Sequence, residues 1–127
     1  MATRTDFDID EKTYGSVTAT LTSDGSTAIP LSSVDSITMT LIEEQTGDVI
    51  NSREAQDVLN TNNCTLDSTS GLFTWAVQTG DTAIVGNTRV GDREHHIATF
   101  SIVWSTTNQM NFEIALHVLN LRKVPQS

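Results

Sequence analysis

Along much of this chain apolar and polar residues alternate one by one, the period of a half-buried β-strand. Residues 16–22 place Val17, Ala19 and Leu21 on one face and Ser or Thr on the other. Residues 36–44 are the clearest case, with Ile37, Met39 and Leu41 predicted inward and Thr38 and Thr40 outward. Residues 72–78 align Phe73, Trp75 and Val77. Residues 96–104 align Ala98, Phe100, Ile102 and Trp104, and residues 111–119 align Phe112, Ile114, Leu116 and Val118. These last two strands carry the longest apolar stripes and are predicted to be central. The predicted core is Ile37, Met39, Leu41, Phe73, Trp75, Phe100, Ile102, Trp104, Phe112, Ile114 and Leu116.

Turn residues punctuate the pattern at short intervals. Ser23-Asp24-Gly25-Ser26, Gln45-Thr46-Gly47-Asp48, Ser68-Thr69-Ser70-Gly71 and residues 106–109 each read as a turn. Ile29-Pro30-Leu31 reads as an edge or irregular segment, because proline cannot donate to a ladder. Residues 49–53 are expected to return as the hairpin partner of 36–44. Residues 54–60 are expected to form a short helical turn, and 64–67 a short strand. There is no internal repeat and no coiled-coil heptad. Seven or eight short strands predict an all-β fold, an antiparallel sandwich of immunoglobulin-like type. The stretch from Leu72 to Phe100 agrees: a strand, then Asp81-Thr82-Ala83 as a crossover turn, a loop over 86–93, and another strand. The expected organisation is an extended N-terminal arm (1–14), one sandwich (15–121) and a tail (122–127) that leaves the sheet near Pro125.

Composition narrows the picture. A chain of 127 residues suits one domain with one core. Charged residues are 18%, and the remaining polar surface is Thr, Ser, Asn and Gln, a composition that fits an extracellular or virion protein better than a cytosolic enzyme. The net charge of −9 argues against nucleic acid as a partner, because phosphate binding needs Lys and Arg, and against an anionic membrane. Cys64 is the single cysteine, so the fold must stand on packing without an internal disulfide. No apolar run approaches the ~20 residues of a membrane span. The opening residues MATRTDFDID lack the apolar stretch of a signal peptide, so assembly in a host cytoplasm is expected.

Candidate chemistry is thin. Asp6-Phe7-Asp8-Ile9-Asp10 has the alternating carboxylates of a calcium loop, but Glu11 stands where a glycine is needed. His95 and His96 are adjacent on a strand, so their rings point to opposite faces and do not share a metal. His96 is expected to begin the core strand with its ring at the sandwich edge. No G-x-S-x-G elbow, G-x-G-x-x-G or phosphate loop occurs. No catalytic residue, metal or cofactor is predicted. Asp81 is expected to cap the crossover turn of Gly80, Asp81, Thr82 and Ala83 by accepting backbone N–H bonds. Trp75 and Trp104 lie at core parity; the alternative use for them is a sugar-stacking platform.

Three runs carry a resemblance: Gly71-Leu72-Phe73-Thr74-Trp75, Gly80-Asp81-Thr82-Ala83 and Ala98-Thr99-Phe100. Together they resemble the Ig-like domain of the upper-baseplate protein family and related small virion proteins of tailed bacteriophages. Val49-Ile50-Asn51-Ser52-Arg53 and Val58-Leu59-Asn60 add to it, so that it covers about residues 34–121. The chain departs from that pattern over 86–94, where a longer loop and His95-His96 replace a compact G-x-Y step. The resemblance implies a non-enzymatic virion structural protein. The expected role is a capsid cement or decoration subunit on the outer surface, with the major capsid protein as partner and a homo-oligomer, a trimer, as its state. A tail, neck or baseplate adaptor is the alternative, and a carbohydrate-binding module for host attachment the third reading. The residues expected to meet the partner are Asp6, Phe7, Asp8 and Ile9 of the arm and Thr88, Arg89 and Arg93 of the loop.

Overall fold

The computed structural model describes residues 3–20, 34–67, 71–86, 91–104 and 108–121. Within them the chain forms eight strands: β1 (Thr3–Asp10), β2 (Gly15–Thr20), β3 (Val34–Glu43), β4 (Gln56–Asp57), β5 (Cys64–Leu66), β6 (Leu72–Val77), β7 (Arg93–Trp104) and β8 (Asn108–Leu119). One sheet has the order β1-β8-β7-β3-β4 and the other β2-β6-β5. This is the immunoglobulin-like sandwich the alternation predicts. The predicted turn at 23–26, the Ile29-Pro30-Leu31 segment, residues 68–70, Thr88, Arg89, Thr106, Thr107 and the 122–127 tail lie outside the described residues.

The long hairpin β7–β8 is the spine of the larger sheet, paired from Arg93↔Leu119 to Trp104↔Asn108. Its inward residues meet those of β3 and β6. Phe100 stacks on Phe112 with ring centroids 4.8 Å apart, and Phe73 meets both edge-on at 5.2 and 5.9 Å. Trp75 lies edge-on to Phe100 at 6.0 Å. Of the predicted core, all but one residue are buried; Trp104, near the strand end, is half-buried and packs against the core from its margin. Ile50, Val58, Cys64 and Leu66 join the core from the irregular stretch between β3 and β6.

Three expectations are corrected. The extended arm expected over 1–14 is part of the sandwich across its described residues, 3–14. Thr3–Asp10 is an edge strand, paired in parallel with β8 from Thr3↔Phe112 to Asp10↔Leu119, so the sandwich is antiparallel except at this edge. Alternation explains it: Ile9 is buried and Phe7 packs on the core, while Asp6, Asp8 and Asp10 face solvent. Gly15 makes the crossing to β2 possible, because a Cβ there would stand 3.0 Å from Ile9 Cδ1.

The helical turn expected over 54–60 is also absent. Asn51, Ser52, Ala55, Asn60, Asn62 and Asn63 all have positive φ, and Gln56–Asp57 pairs with β3 instead. The return from the β3 turn is correspondingly irregular, a single bridge at Ile42↔Val49 followed by Leu41 N–H donating to the Arg53 carbonyl at 2.8 Å. Lastly, Asn108 and Gln109 belong to β8 rather than to the last turn.

Phe100 touches three aromatic rings at the sandwich centre, so Phe100→Ala opens a cavity and should cost about 3–5 kcal/mol in urea unfolding. A melting point close to that of the parent would show that the four rings are not the centre of the core.

Candidate interaction face and the buried polar networks

The polar residues of this fold fall into two groups, one sealed inside and one laid out on the outer face of the larger sheet. Inside, Arg53 and Asp81 form an ion pair, with Arg53 Nε 2.6 Å from Asp81 Oδ1 and the two side chains 2% and 0% exposed. A second bond joins Arg53 Nη2 to Asp81 Oδ2 at 3.1 Å. The other guanidinium N–H groups donate to Gln56 Oε1, the Asn62 carbonyl and Asn63 Oδ1, so every donor of the fork is used. Arg53 also lies over the Trp75 ring, 5.9 Å from its centroid.

Asp81 caps the crossover as expected, accepting the Gln78 N–H at 2.9 Å. It also accepts from Asn51 Nδ2 at 2.9 Å. Gly80 keeps room for that contact, since a Cβ there would fall 2.9 Å from the Asn51 side chain. Thr82 completes the turn: its Oγ1 donates to the Thr13 carbonyl and accepts the Thr13 N–H, both at 3.1 Å. Ala83 is half-buried beside it.

His96 is not at the sandwich edge. It is fully buried inside β7, which begins three residues earlier at Arg93. Its Nδ1 sits 2.8 Å from the Asp81 carbonyl and its Nε2 2.6 Å from Glu94 Oε1. Glu94 in turn accepts the backbone N–H groups of Val85 and Gly86 at 2.9 and 2.8 Å. Asp81, Glu94 and His96 therefore serve the backbone of the crossover. Burial also pushes the Cys64 thiol up to about 12, with the Arg53 charge opposing and the Asp81 charge adding to the shift.

The outer face belongs to the larger sheet. Ile97 and Ala115, 6% and 0% exposed, are buried yet stand apart from the core cluster, because their parity on β7 and β8 turns them outward. Pairing sets them in a row, Ala115–Ile97–Ile42, that continues to Val49, which is 38% exposed. A polar row lies beside it. His95 Nδ1 is 3.0 Å from Glu44 Oε1, the His95 and His117 rings meet edge-on at 4.5 Å, and His117 Nε2 is 2.9 Å from Asp6 Oδ1. Three strands and the turn after β3 thus contribute one continuous line, Glu44–His95–His117–Asp6.

The residues expected to meet a partner are divided by this arrangement. Asp6 and Asp8 stand on the outer face, whereas Phe7 and Ile9 turn inward and serve packing, which removes them from any docking surface. Arg93 is exposed at the start of β7 and donates from Nη1 to the His117 carbonyl at 2.8 Å. His95 and His96 do point to opposite faces. No group of three or more His, Cys, Asp or Glu suited to a metal comes together among the described residues. Trp75 is sealed in the core and is no sugar platform. A shallow pocket of about 50 Å³, lined by Glu43, Glu44, Gln45, Arg93, Glu94 and His95, is of water rather than saccharide scale.

Arg53 and the face both escaped the sequence reading. Arg53 is an isolated cation in a polar stretch, 28 residues from its partner, and nothing local marks it. The face could have been found by noting that Ile97 and Ala115 are apolar at the polar parity of their strands.

No protein-family model matches the chain, and no curated protein matches it. Among solved structures it is similar to the first Ig-like domain of human CD48 antigen, at 17% identity, with 99% of this chain and 88% of that chain covered and a TM-score of 0.39.

Removing Asp81 leaves a buried guanidinium without its charge partner. Asp81→Ala should therefore cost about 3–5 kcal/mol, more than the ~0.5–2 of a lost cap alone. The apolar pair Arg53→Met/Asp81→Leu should recover only the part due to the unpaired charge in urea unfolding, because Gln56, the Asn62 carbonyl, Asn63 and the Gln78 N–H still lose their partners. An Asp81→Ala loss below about 1 kcal/mol would mean that the pair contributes only its cap.

The raised Cys64 pKa sets a second test. Below the unfolded value of 9.0 both states hold the proton; between 9.0 and about 12 only the folded state does. Stability should thus fall as pH rises through this window, by at most about 1.4 kcal/mol per unit. Cys64→Ala should show a shallower alkaline decline; equal slopes in urea unfolding between pH 9 and 10.5 would assign the decline to other groups.

Proposed function

We propose that this chain is a non-enzymatic structural subunit of a tailed-phage particle, and that its role is to decorate and cement the outer capsid shell. One observation carries the non-enzymatic part. The buried ionisable groups around the crossover are already spent on the scaffold: Asp81 on Arg53 and the Gln78 N–H, Glu94 on the Val85 and Gly86 N–H groups, His96 on Glu94 and the Asp81 carbonyl. Cys64, its thiol held protonated by burial, is equally unsuited to attack a substrate.

The virion part is supported by the resemblance of Gly71–Trp75, Gly80–Ala83 and Ala98–Phe100 to small phage Ig-like proteins. In this fold those positions are β6, the crossover turn and the centre of β7, so they speak for a shared scaffold. A decoration subunit acts by burying surface against its neighbours. If it binds only the expanded shell, it stabilises that state by mass action. Clustering around a symmetry axis, as a trimer, is the arrangement this role favours.

Quantitative mass spectrometry of purified particles tests the proposal. A copy number near that of the major capsid protein, or one trimer per local threefold axis, is expected. A handful of copies per particle would move the subunit to the tail or neck, and its absence from particles would end the virion reading.

A further inference from the structure

The outer face of the larger sheet carries an uneven charge. Asp6, Asp8 and Asp10 occupy alternate positions of β1, so three exposed carboxylates run in a column along the sheet edge. Two residues of strand separate each from the next by about 7 Å. Glu113 adds a fourth carboxylate on β8, in register with Arg4 and Thr99. Glu44 lies on the far side of the face, beyond β7. Like charges set in a column repel one another, and the chain's net charge of −9 adds to this. Between the two acidic margins Ala115 and Ile97 are 0% and 6% exposed, so the apolar surface open to a partner is the far end of the row, the half-buried Ile42 and the 38% exposed Val49. A face with an acidic margin and an open apolar end matches a protein surface built the opposite way, with Lys or Arg on one side and an apolar patch on the other.

We infer that this face docks on a basic protein surface, with the partner's Lys or Arg side chains lying along the Asp6–Asp8–Asp10 column and Glu113, and its apolar patch on the Ile42–Val49 end of the row. The inference rests on the reading of the chain as a structural subunit and adds which surface it uses and what chemistry it recognises. A second copy of the chain fits this face badly, since a twofold contact would set carboxylates against carboxylates. Nucleic acid is repelled by the same groups.

The test uses the full chain supplied during particle assembly, with occupancy read by quantitative mass spectrometry. Asp8→Lys/Glu113→Lys reverses the acidic margin at positions outside the core. Ala76→Lys places a new charge at an exposed site on the smaller sheet and serves as the control. All variants are first matched to the parent by thermal melting. The double variant should lose occupancy by about tenfold or more, and raised salt should release the parent chain. Ala76→Lys should load normally. Zero-length carboxyl-to-amine cross-linking of parent particles should join carboxylates of residues 6–10 or Glu113 to partner lysines.

Full occupancy of the double variant, or cross-links only from carboxylates elsewhere, would overturn the docking face while leaving the structural role standing. Cross-links between two copies through this face would replace the basic partner with a second copy. Failure of the parent chain itself to load would remove the structural role and the docking face with it.

Discussion

The Arg53–Asp81 pair is the interaction on which the arrangement of this sandwich depends. Residues 51–63 hold six non-glycine residues at positive φ, a conformation that costs free energy at each and does not persist without outside support. Arg53 supplies that support from within. Its guanidinium binds Gln56, the Asn62 carbonyl and Asn63, all in the strained segment, and ties them to Asp81 in the crossover. Asp81 passes the constraint on through Gln78, and through its own carbonyl to His96 and Glu94. A buried ion pair is a weak source of net stability, because two charges must be taken out of water. What it gives here is definition: the irregular segment has one place to go, and Ile50 and Val58 are carried into the core with it.

How much of this was legible follows from the distance over which each signal acts. The alternation that marks β3, β6, β7 and β8 lies within each strand, so it reads directly from the sequence whatever the distance to the partner, and their inward residues lie in the core. β1 was missed, although Asp6-Phe7-Asp8-Ile9-Asp10 alternates as strictly as any of them. Its carboxylates drew attention as a solvated arm, while its partner β8 lies more than a hundred residues away and runs parallel, which no turn signal announces. The helical turn expected at 54–60 failed for a related reason. Local propensity there was overridden by Arg53, whose partners come from both the segment itself and the crossover. The crossover was legible because its cap is local, Asp81 to Gln78, and the ion pair was not because it spans 28 residues.

The same contrast separates the two histidines of β7. His95 and His96 are neighbours in the chain and each faces a carboxylate, yet one is half-exposed and the other sealed. His96 is bound to groups that are fixed by the backbone, so its place is dictated by the crossover. His95 is bound to Glu44 and stacked edge-on against His117, both on the outside, where the fold makes no demand for them. A strand must put alternate residues on opposite sides, and the inner side of β7 is fully determined by packing. The outer side is free to carry anything soluble.

Beyond Thr38, Thr40, Thr99 and Ser101 it carries more than the Ser and Thr that dress the rest of the surface. Ile97 and Ala115 occupy the middle of the outer face, the histidines lie beside them, and carboxylates stand at both margins. The core cluster does not include Ile97, which is buried on the other side of the sheet. Solubility does not require it, and a polar β-branched residue such as Thr would satisfy the strand equally well. On a surface that meets only water the cost of the row falls on its open end, the half-buried Ile42 and the 38% exposed Val49, since Ile97 and Ala115 are 6% and 0% exposed, and self-repulsion along β1 adds to it. The proposed docking on a cationic, partly apolar surface would relieve both. The inner half of each long strand answers to the fold, and the outer half is where that proposal acts.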